Sequence, residues 1–422
     1  MLKALTGAKI IDGKGNKPYS ASIVIEGSKI IEISNRKIFD KNTDEIDLKN
    51  CFILPGFIDC HIHLSPKCLC LISSQDYPLG YLASQTIHAM RSCLDVGVTT
   101  ARDVGGLDAG YVQAQKDGLI QAPRLQTSVN IIHPTNGLLD NLPGFGRAIS
   151  AQGLYAVSSG IPMNWADGPW EVRKKVREML RYGAQIIKIA NDAFSIDKPW
   201  LNPERTLFTG EELQAVVDEA HKAGVPVACH AWGTKAILDA VKAGVDTLEH
   251  GNALNEESIN EMLKRGTWYV PTIAQIICHS EENMDPDVRA MWAKVVKTKK
   301  KSFISAIRAG VKTAMGSDNV LCYGGSILEI PTMVETGMSP IQAIEAATKC
   351  GAELMGMQDI IGSLEVGKEA DLVVFSDNPL NEISILKDLD KIALVMQAGK
   401  IVSGKKKYSK YAWEKPIFPA KI

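Results

Sequence analysis

The ten residues Pro55-Gly56-Phe57-Ile58-Asp59-Cys60-His61-Ile62-His63-Leu64 form an apolar run that carries two histidines at its end. In a strand, side chains alternate faces, so His61 and His63 point the same way, about 7 Å apart along the chain. Two imidazoles on one face suit one metal ion or a metal pair. A His-x-His pair also arises by chance in cores and on surfaces, so its meaning depends on what the rest of the chain supplies.

Before this stretch the chain reads as short strands. Apolar runs at 8–11, 22–25, 29–33 and 51–54 are broken by Asp12-Gly13, Glu26-Gly27 and Pro55-Gly56. From Phe57 the rhythm changes to apolar strand signals alternating with helical periods. Further strands are expected at 97–102, 125–130, 184–189, 225–229, 245–248, 267–270 and 311–315. Helices are expected at 171–182, 234–243 and 256–264. A capping box at Thr209 and Glu212 opens another, and Ser339-Pro340 starts a later one. Eight strand–helix units predict a (β/α)8 TIM barrel of the α/β class. No Gly-x-Gly-x-x-Gly follows a strand, which disfavours a dinucleotide fold. After about residue 362 the strand texture returns, at 370–375, 392–396 and 398–402. The expected organisation is a small β-sandwich domain from 1–55 and 363–422, with the barrel inserted at 56–362.

Composition narrows the partners. At 422 residues the chain has room for a barrel and a satellite. A net charge of −1 gives no reason to expect nucleic acid or an acidic membrane surface. No run of about 18 apolar residues is present to span a membrane, and no apolar leader follows the first residues. The nine cysteines show no framework and read as free thiols, so a reducing, cytoplasmic setting is expected. The basic run Lys405-Lys406-Lys407 reads as a solvated tail.

Active sites of such barrels lie at the C-terminal ends of the strands. The first strand ends in His61 and His63, and the fourth carries Lys188. The fifth ends at His230, the sixth at Glu249-His250, and the eighth runs into Gly316-Ser317-Asp318. Each has a plainer reading: a strand-end histidine can cap a carbonyl, Lys188 can pair with Glu249 in a core, and Asp318 can cap a turn. Taken together those readings are weak, because four of only eight histidines fall at expected strand ends. A protonated lysine would repel metal. The neutral amine, once it has taken up CO2 as a carbamate, is instead a bidentate oxygen donor. With N6-carboxylated Lys188 as a bridge, two divalent ions can share the site, one on His61, His63 and Asp318 and the other on His230 and His250. Nitrogen and oxygen donors without thiolate favour Zn2+, with Mn, Co or Fe as alternatives. His88, on an outer helix, and His221, near a helix C-terminus, read as structural, whereas His279 follows the seventh strand.

These pieces resemble the amidohydrolase superfamily. The resemblance rests on residues 55–63, Gly97-Val98-Thr99-Thr100-Ala101-Arg102-Asp103, Lys188, His230, His250-Gly251, Gly316-Ser317-Asp318 and the stretch Gly362 to Val374. Within it the chain is similar to the imidazolonepropionase-related and prolidase-like branch, which includes Xaa-Pro dipeptidases and zinc carboxypeptidases. That resemblance implies a barrel with a small β-sandwich, two metals, a carboxylated Lys188 and a homo-oligomer acting on a small molecule. It also implies hydrolysis of an amide bond, in a dipeptide or N-acyl amino acid. A water acidified by two cations would attack, with Asp318 as general base and then acid. A cyclic amide or imidazolone, a lactone or an ester is the alternative substrate, and a non-catalytic scaffold the alternative from another class. Two positions depart from the branch. Leu138 stands where relatives carry a substrate-facing histidine, with His133 five positions earlier, and Trp232 stands where they often carry tyrosine. His133, Leu138, Trp232 and Tyr323 are therefore the candidate substrate contacts.

Overall fold

The computed structural model describes residues 2–35, 39, 41–65, 78–138, 161–192, 205–277, 286–320 and 324–405. The chain ends build two sheets around one apolar core. The first orders its strands as Lys29–Ser34, Ser22–Glu26, Leu2–Thr6 and Asp44–Asp47. The second runs Lys400–Gly404, Ile392–Gln397, Leu372–Phe375, Phe52–Pro55, Lys9–Ile10 and Tyr19–Ser20. Leu5, Ile10, Ile23, Ile25, Ile53, Leu372, Val374 and Leu394 are among the buried residues that share this core. The expected strands at both ends are present. Leu2–Thr6, Tyr19–Ser20 and Asp44–Asp47 are additional, and the last of these is too acidic to show an apolar period.

The middle of the chain builds two all-parallel sheets. One orders Arg124–Thr127, Val98–Asp103, Phe57–His63 and Asn319–Val320, and the other Ile131–Ile132, Ile187–Ala190, Val227–Ala231, Thr247–His250 and Trp268–Val270. The sheets are stitched to each other at both edges. Gln185 N–H donates to the Thr127 carbonyl (2.9 Å) at one edge; at the other, residues 311–315 join the two, Thr313 bridging Tyr269 in parallel and the Met315 carbonyl accepting from Cys60 N–H (2.9 Å). Helices such as Gly168–Arg181, Gly210–Lys222, Thr234–Ala243 and Glu256–Arg265 follow the strands, and all four expected starts lie within three residues. The Thr209/Glu212 capping box forms as read, and Ser339 with Gln342 forms a second.

Two strands differ from the sequence reading. The third, expected at 125–130, is split into Arg124–Thr127 and Ile131–Ile132. Val129 sits between them at φ 66°, a conformation β-branched residues rarely take. It is held there by the Thr127 hydroxyl, which accepts from Val129 N–H at 2.9 Å. The eighth, expected at 311–315, makes only the Thr313 bridge and pairs as a strand at Asn319–Val320. The cause lies in the turn after it. A Cβ on Gly316 would fall 2.3 Å from Val270 Cγ1 and 2.7 Å from His61 Cβ, so only glycine lets this segment press against His61. Of the described cysteines, Cys60, Cys93, Cys229 and Cys350 are free, and all but Cys350 are buried.

Candidate metal centre

Asp318 lies at the centre of the cluster at the strand ends. Its Oδ1 is 3.4 Å from His61 Nε2 and 3.3 Å from His63 Nε2, and its Oδ2 is 3.8 Å from His250 Nδ1. The His250 ring packs edge-on against His61 (centroids 4.9 Å apart) and His230 (4.5 Å). All four histidines and Asp318 are buried. His250 and Asp318 both have positive φ, 66° and 51°, so the chain turns sharply just where each side chain enters the site.

The opposite ring nitrogens fix which atoms face inward. His61 Nδ1 is 2.5 Å from a Glu249 oxygen, and His63 Nδ1 is 3.0 Å from the Gly105 carbonyl. A carboxylate and a carbonyl only accept, so both histidines donate from Nδ1 and turn the Nε2 lone pair toward Asp318. Burial lowers the His61 pKa, which keeps that ring neutral. The Nδ1 partners thus leave His61 Nε2 and His63 Nε2 turned toward the Asp318 carboxylate. His61, His63 and Asp318 each offer an atom within 4.8 Å of the other two, as a cation site requires. Ligands about 2.05 Å from a tetrahedral cation stand about 3.3 Å apart, and the observed separations match.

Lys188 is on the strand Ile187–Ala190, paired beside Ala228 of the next strand. It is 1% exposed, and its Nζ has no hydrogen-bond partner. Burial lowers its pKa. It makes no ion pair with Glu249, which is committed elsewhere. Glu249 takes 2.8 Å and 2.5 Å hydrogen bonds from Arg102 and the Thr247 hydroxyl, besides the bond to His61. Burial works to raise the Glu249 carboxyl, but Arg102 and His61 hold it below the usual range. Arg102 also donates from Nε to the Cys60 carbonyl (2.5 Å), tying the second strand to the first beside His61. Glu249→Gln is expected to leave Arg102 buried without its counter-charge and to cost about 3–5 kcal/mol. Thermal or urea unfolding of the metal-free protein reads that loss.

His230 is held differently. Its Nε2 is 3.2 Å from Asp192 Oδ1, without hydrogen-bond alignment, and both atoms are buried with no hydrogen-bond partner. Asp192 Oδ2 meanwhile accepts from Trp232 N–H (2.5 Å) and Gly233 N–H (3.0 Å), anchoring the turn after His230. Neither Asp192 nor Arg102 was assigned a role from sequence. Both act through partners on other strands, which strand-end position alone does not reveal. Among the candidate substrate contacts, the Trp232 ring flanks His230 (6.3 Å) and His250 (6.0 Å). Leu138 packs on Ile131 and Ala190. His133 is fully buried, with Nδ1 donating to the Pro134 carbonyl (2.8 Å) and Nε2 accepting from the Asn164 amide (3.0 Å). Tyr323 and His279 lie outside the described residues. His221 pairs with Asp246 at 2.8 Å, away from the cluster.

The sequence model of the Amidohydrolase family matches residues 52–402. The chain belongs to the amidohydrolase family. It is similar to ochratoxinase of Aspergillus niger, with 30% identity over 94% of this chain and 85% of that one. It is also similar to imidazolonepropionase of Alkaliphilus metalliredigens, with 26% identity over 91% and 90%. Among solved structures, a prolidase complexed with N-methylphosphonate-L-proline superposes with a TM-score of 0.85 at 30% identity, over 95% of this chain and 99% of that one. The amidohydrolase match covers every residue of the cluster and the core strand Phe52–Pro55 of the terminal sheets. The chain is a hydrolase of this family, in the branch that the sequence resemblance indicated. No described helix is long and apolar enough to cross a membrane.

Proposed function

We propose that this amidohydrolase is a binuclear metal-dependent enzyme that cleaves the amide bond of a dipeptide or N-acyl amino acid. The observation that carries the reading is the convergence of His61, His63 and Asp318 within 4.8 Å of one another, together with the buried Lys188 amine, which has no hydrogen-bond partner and interacts electrostatically with Asp318. His61, His63 and Asp318 would hold one divalent ion, and His230 and His250 the other. Lys188, as N6-carboxylysine, would join them. The donor set is nitrogen and oxygen, which favours Zn2+. We further propose that the two parallel sheets close as a (β/α)8 barrel at 56–362, inserted into a β-sandwich domain formed by 1–55 and 363–422. Their hydrogen bonding at both edges and the shared terminal core support this.

Bound at these residues, the ions would acidify water and polarise the scissile carbonyl. Asp318 takes a proton from the attacking water and returns it to the leaving amine. His61 and His63 are kept in one tautomer by Glu249 and Gly105, so they cannot rotate to take that proton themselves. The Trp232 ring beside His230 and His250 forms an apolar wall.

The amide reading is supported by relatives named prolidase and ochratoxinase at about 30% identity. The relative named imidazolonepropionase keeps a cyclic amide as the second reading. The test is a panel of Xaa-Pro dipeptides, N-acyl amino acids, cyclic amides, lactones and esters, run on chelated and metal-reconstituted protein. Turnover of an open-chain amide only after reconstitution is the expected result. Turnover confined to lactones or esters would overturn the amide assignment, and fewer than one tight metal per chain would favour a scaffold.

A further inference from the structure

The long helix Pro286–Ala309 carries a lysine where its apolar stripe should continue. Trp292, Phe303 and Ala306 are buried on that face, and Lys299, in register with them, is 0% exposed. An amine so placed must be satisfied by specific acceptors. Lys299 Nζ donates to the backbone carbonyls of His250 and Pro271 and lies 3.4 Å from the Tyr269 hydroxyl. One helical turn on, the Ser302 hydroxyl donates to the Asn252 carbonyl (2.7 Å) and accepts from Leu254 N–H (3.0 Å).

The two carbonyls flank the strained turns of neighbouring strand ends. His250 has φ 66°, and Thr272, which follows Pro271, has φ 48°. Thr272 Oγ1 is 2.8 Å from His250 Nδ1. The backbone after Thr272 is fixed in turn, because Ile273 and Ala274 N–H groups donate to the Glu329 carboxylate at 2.8 and 2.7 Å. His250 is thus held at its carbonyl by Lys299 and at its ring by Thr272, and the same lysine holds the carbonyl just before Thr272. Left-handed backbone at non-glycine residues persists only where the surroundings over-determine it.

We infer that Lys299 is a positioning residue for His250: it locks the ends of the sixth and seventh parallel strands together, so that the His250 ring is presented to the His230 side of the centre. This rests on the binuclear reading for its functional consequence, but not for its geometry. Lys299→Met keeps the stem volume and removes the amine. Thr272→Ala removes the ring contact, and Thr272→Ser restores it. Calorimetric metal titration of the reconstituted proteins is expected to show about two ions in the wild type and in Thr272→Ser. In Lys299→Met and Thr272→Ala the second ion is expected to bind on the order of 10–100-fold more weakly, with the first unchanged. A purely structural lysine would lower the unfolding temperature and leave both affinities alone, and that result overturns the inference.

The ring nitrogens of His250 in metal-free, 15N-histidine-labelled protein supply the second readout. A shift in Lys299→Met supports the clamp, and an unchanged His250 signal overturns it. A wild type that takes up a single ion sinks the binuclear reading alone, because the nitrogen signal still decides the clamp. If Lys299→Met does not fold, the Thr272 pair carries the same comparison.

Discussion

Asp318→Asn is expected to bind metal and lose turnover by a factor of about 10²–10⁴ in kcat. The substitution is unusually clean here. Asp318 sits at φ 51°, and asparagine is the other residue that tolerates this conformation. The backbone bond from Asp318 N–H to the His61 carbonyl (2.7 Å) is untouched. One side-chain oxygen remains to face His61 and His63, where Oδ1 now stands 3.3–3.4 Å from both. What disappears is the basicity needed to take a proton from water and hand it to the leaving amine. The loss should therefore fall on kcat, with KM little changed. Steady-state kinetics on a variant of verified metal content checks this. Unchanged amide turnover would show that another group is the base.

Lys188→Met is expected to remove turnover altogether while making the metal-free fold more stable. The amine is buried and has no hydrogen-bond partner, so it costs the empty protein free energy. Replacing an unsatisfied buried polar group with an apolar one of similar length recovers about 1–3 kcal/mol. The same change removes the only atom able to carry a bridging carbamate in the proposed centre. Loss of the ions would remove several kcal/mol of transition-state stabilisation, on the order of 10³-fold or more in rate. Lys188→Ala separates the two effects, because it leaves space for a small acid. Acetate or propionate should restore part of the metal binding and activity to Lys188→Ala and none to Lys188→Met. A methionine variant that kept two ions and its activity would remove Lys188 from the centre.

The site's inner residues were legible because strand geometry makes them so. A period of two puts His61 and His63 on one face, and strand ends converge wherever parallel strands pair in order. His230, His250 and Asp318 fall into place by the same rule. The layer behind them follows no local rule. Lys299 lies in the run Lys297-Thr298-Lys299-Lys300-Lys301, which reads as a solvated basic face. Only its phase relative to Trp292, Phe303 and Ala306 marks it as buried. Thr272 and Asp192 are single polar residues whose partners lie 22 and 38 positions away, on other strands. The irregular third and eighth strands were misplaced because their course is set by tertiary contacts, the Thr127 hydroxyl in one case and the Gly316–His61 approach in the other.

The strand Phe52–Pro55 has a consequence for how the chain is made. It lies inside its sheet, between Lys9–Ile10 on one side and Leu372–Phe375 on the other. The first neighbour leaves the ribosome before it and the second about three hundred residues after it. At roughly 5–20 residues per second, that gap lasts on the order of half a minute. Through that interval Ile53 and Leu54 belong to a half-built sheet with an open hydrogen-bonding edge, which is the kind of surface that pairs with foreign strands. The metal-binding segments are synthesised within the same window. The nascent chain therefore carries every residue of the candidate metal centre before it can finish the sheet on which that centre's first strand is mounted.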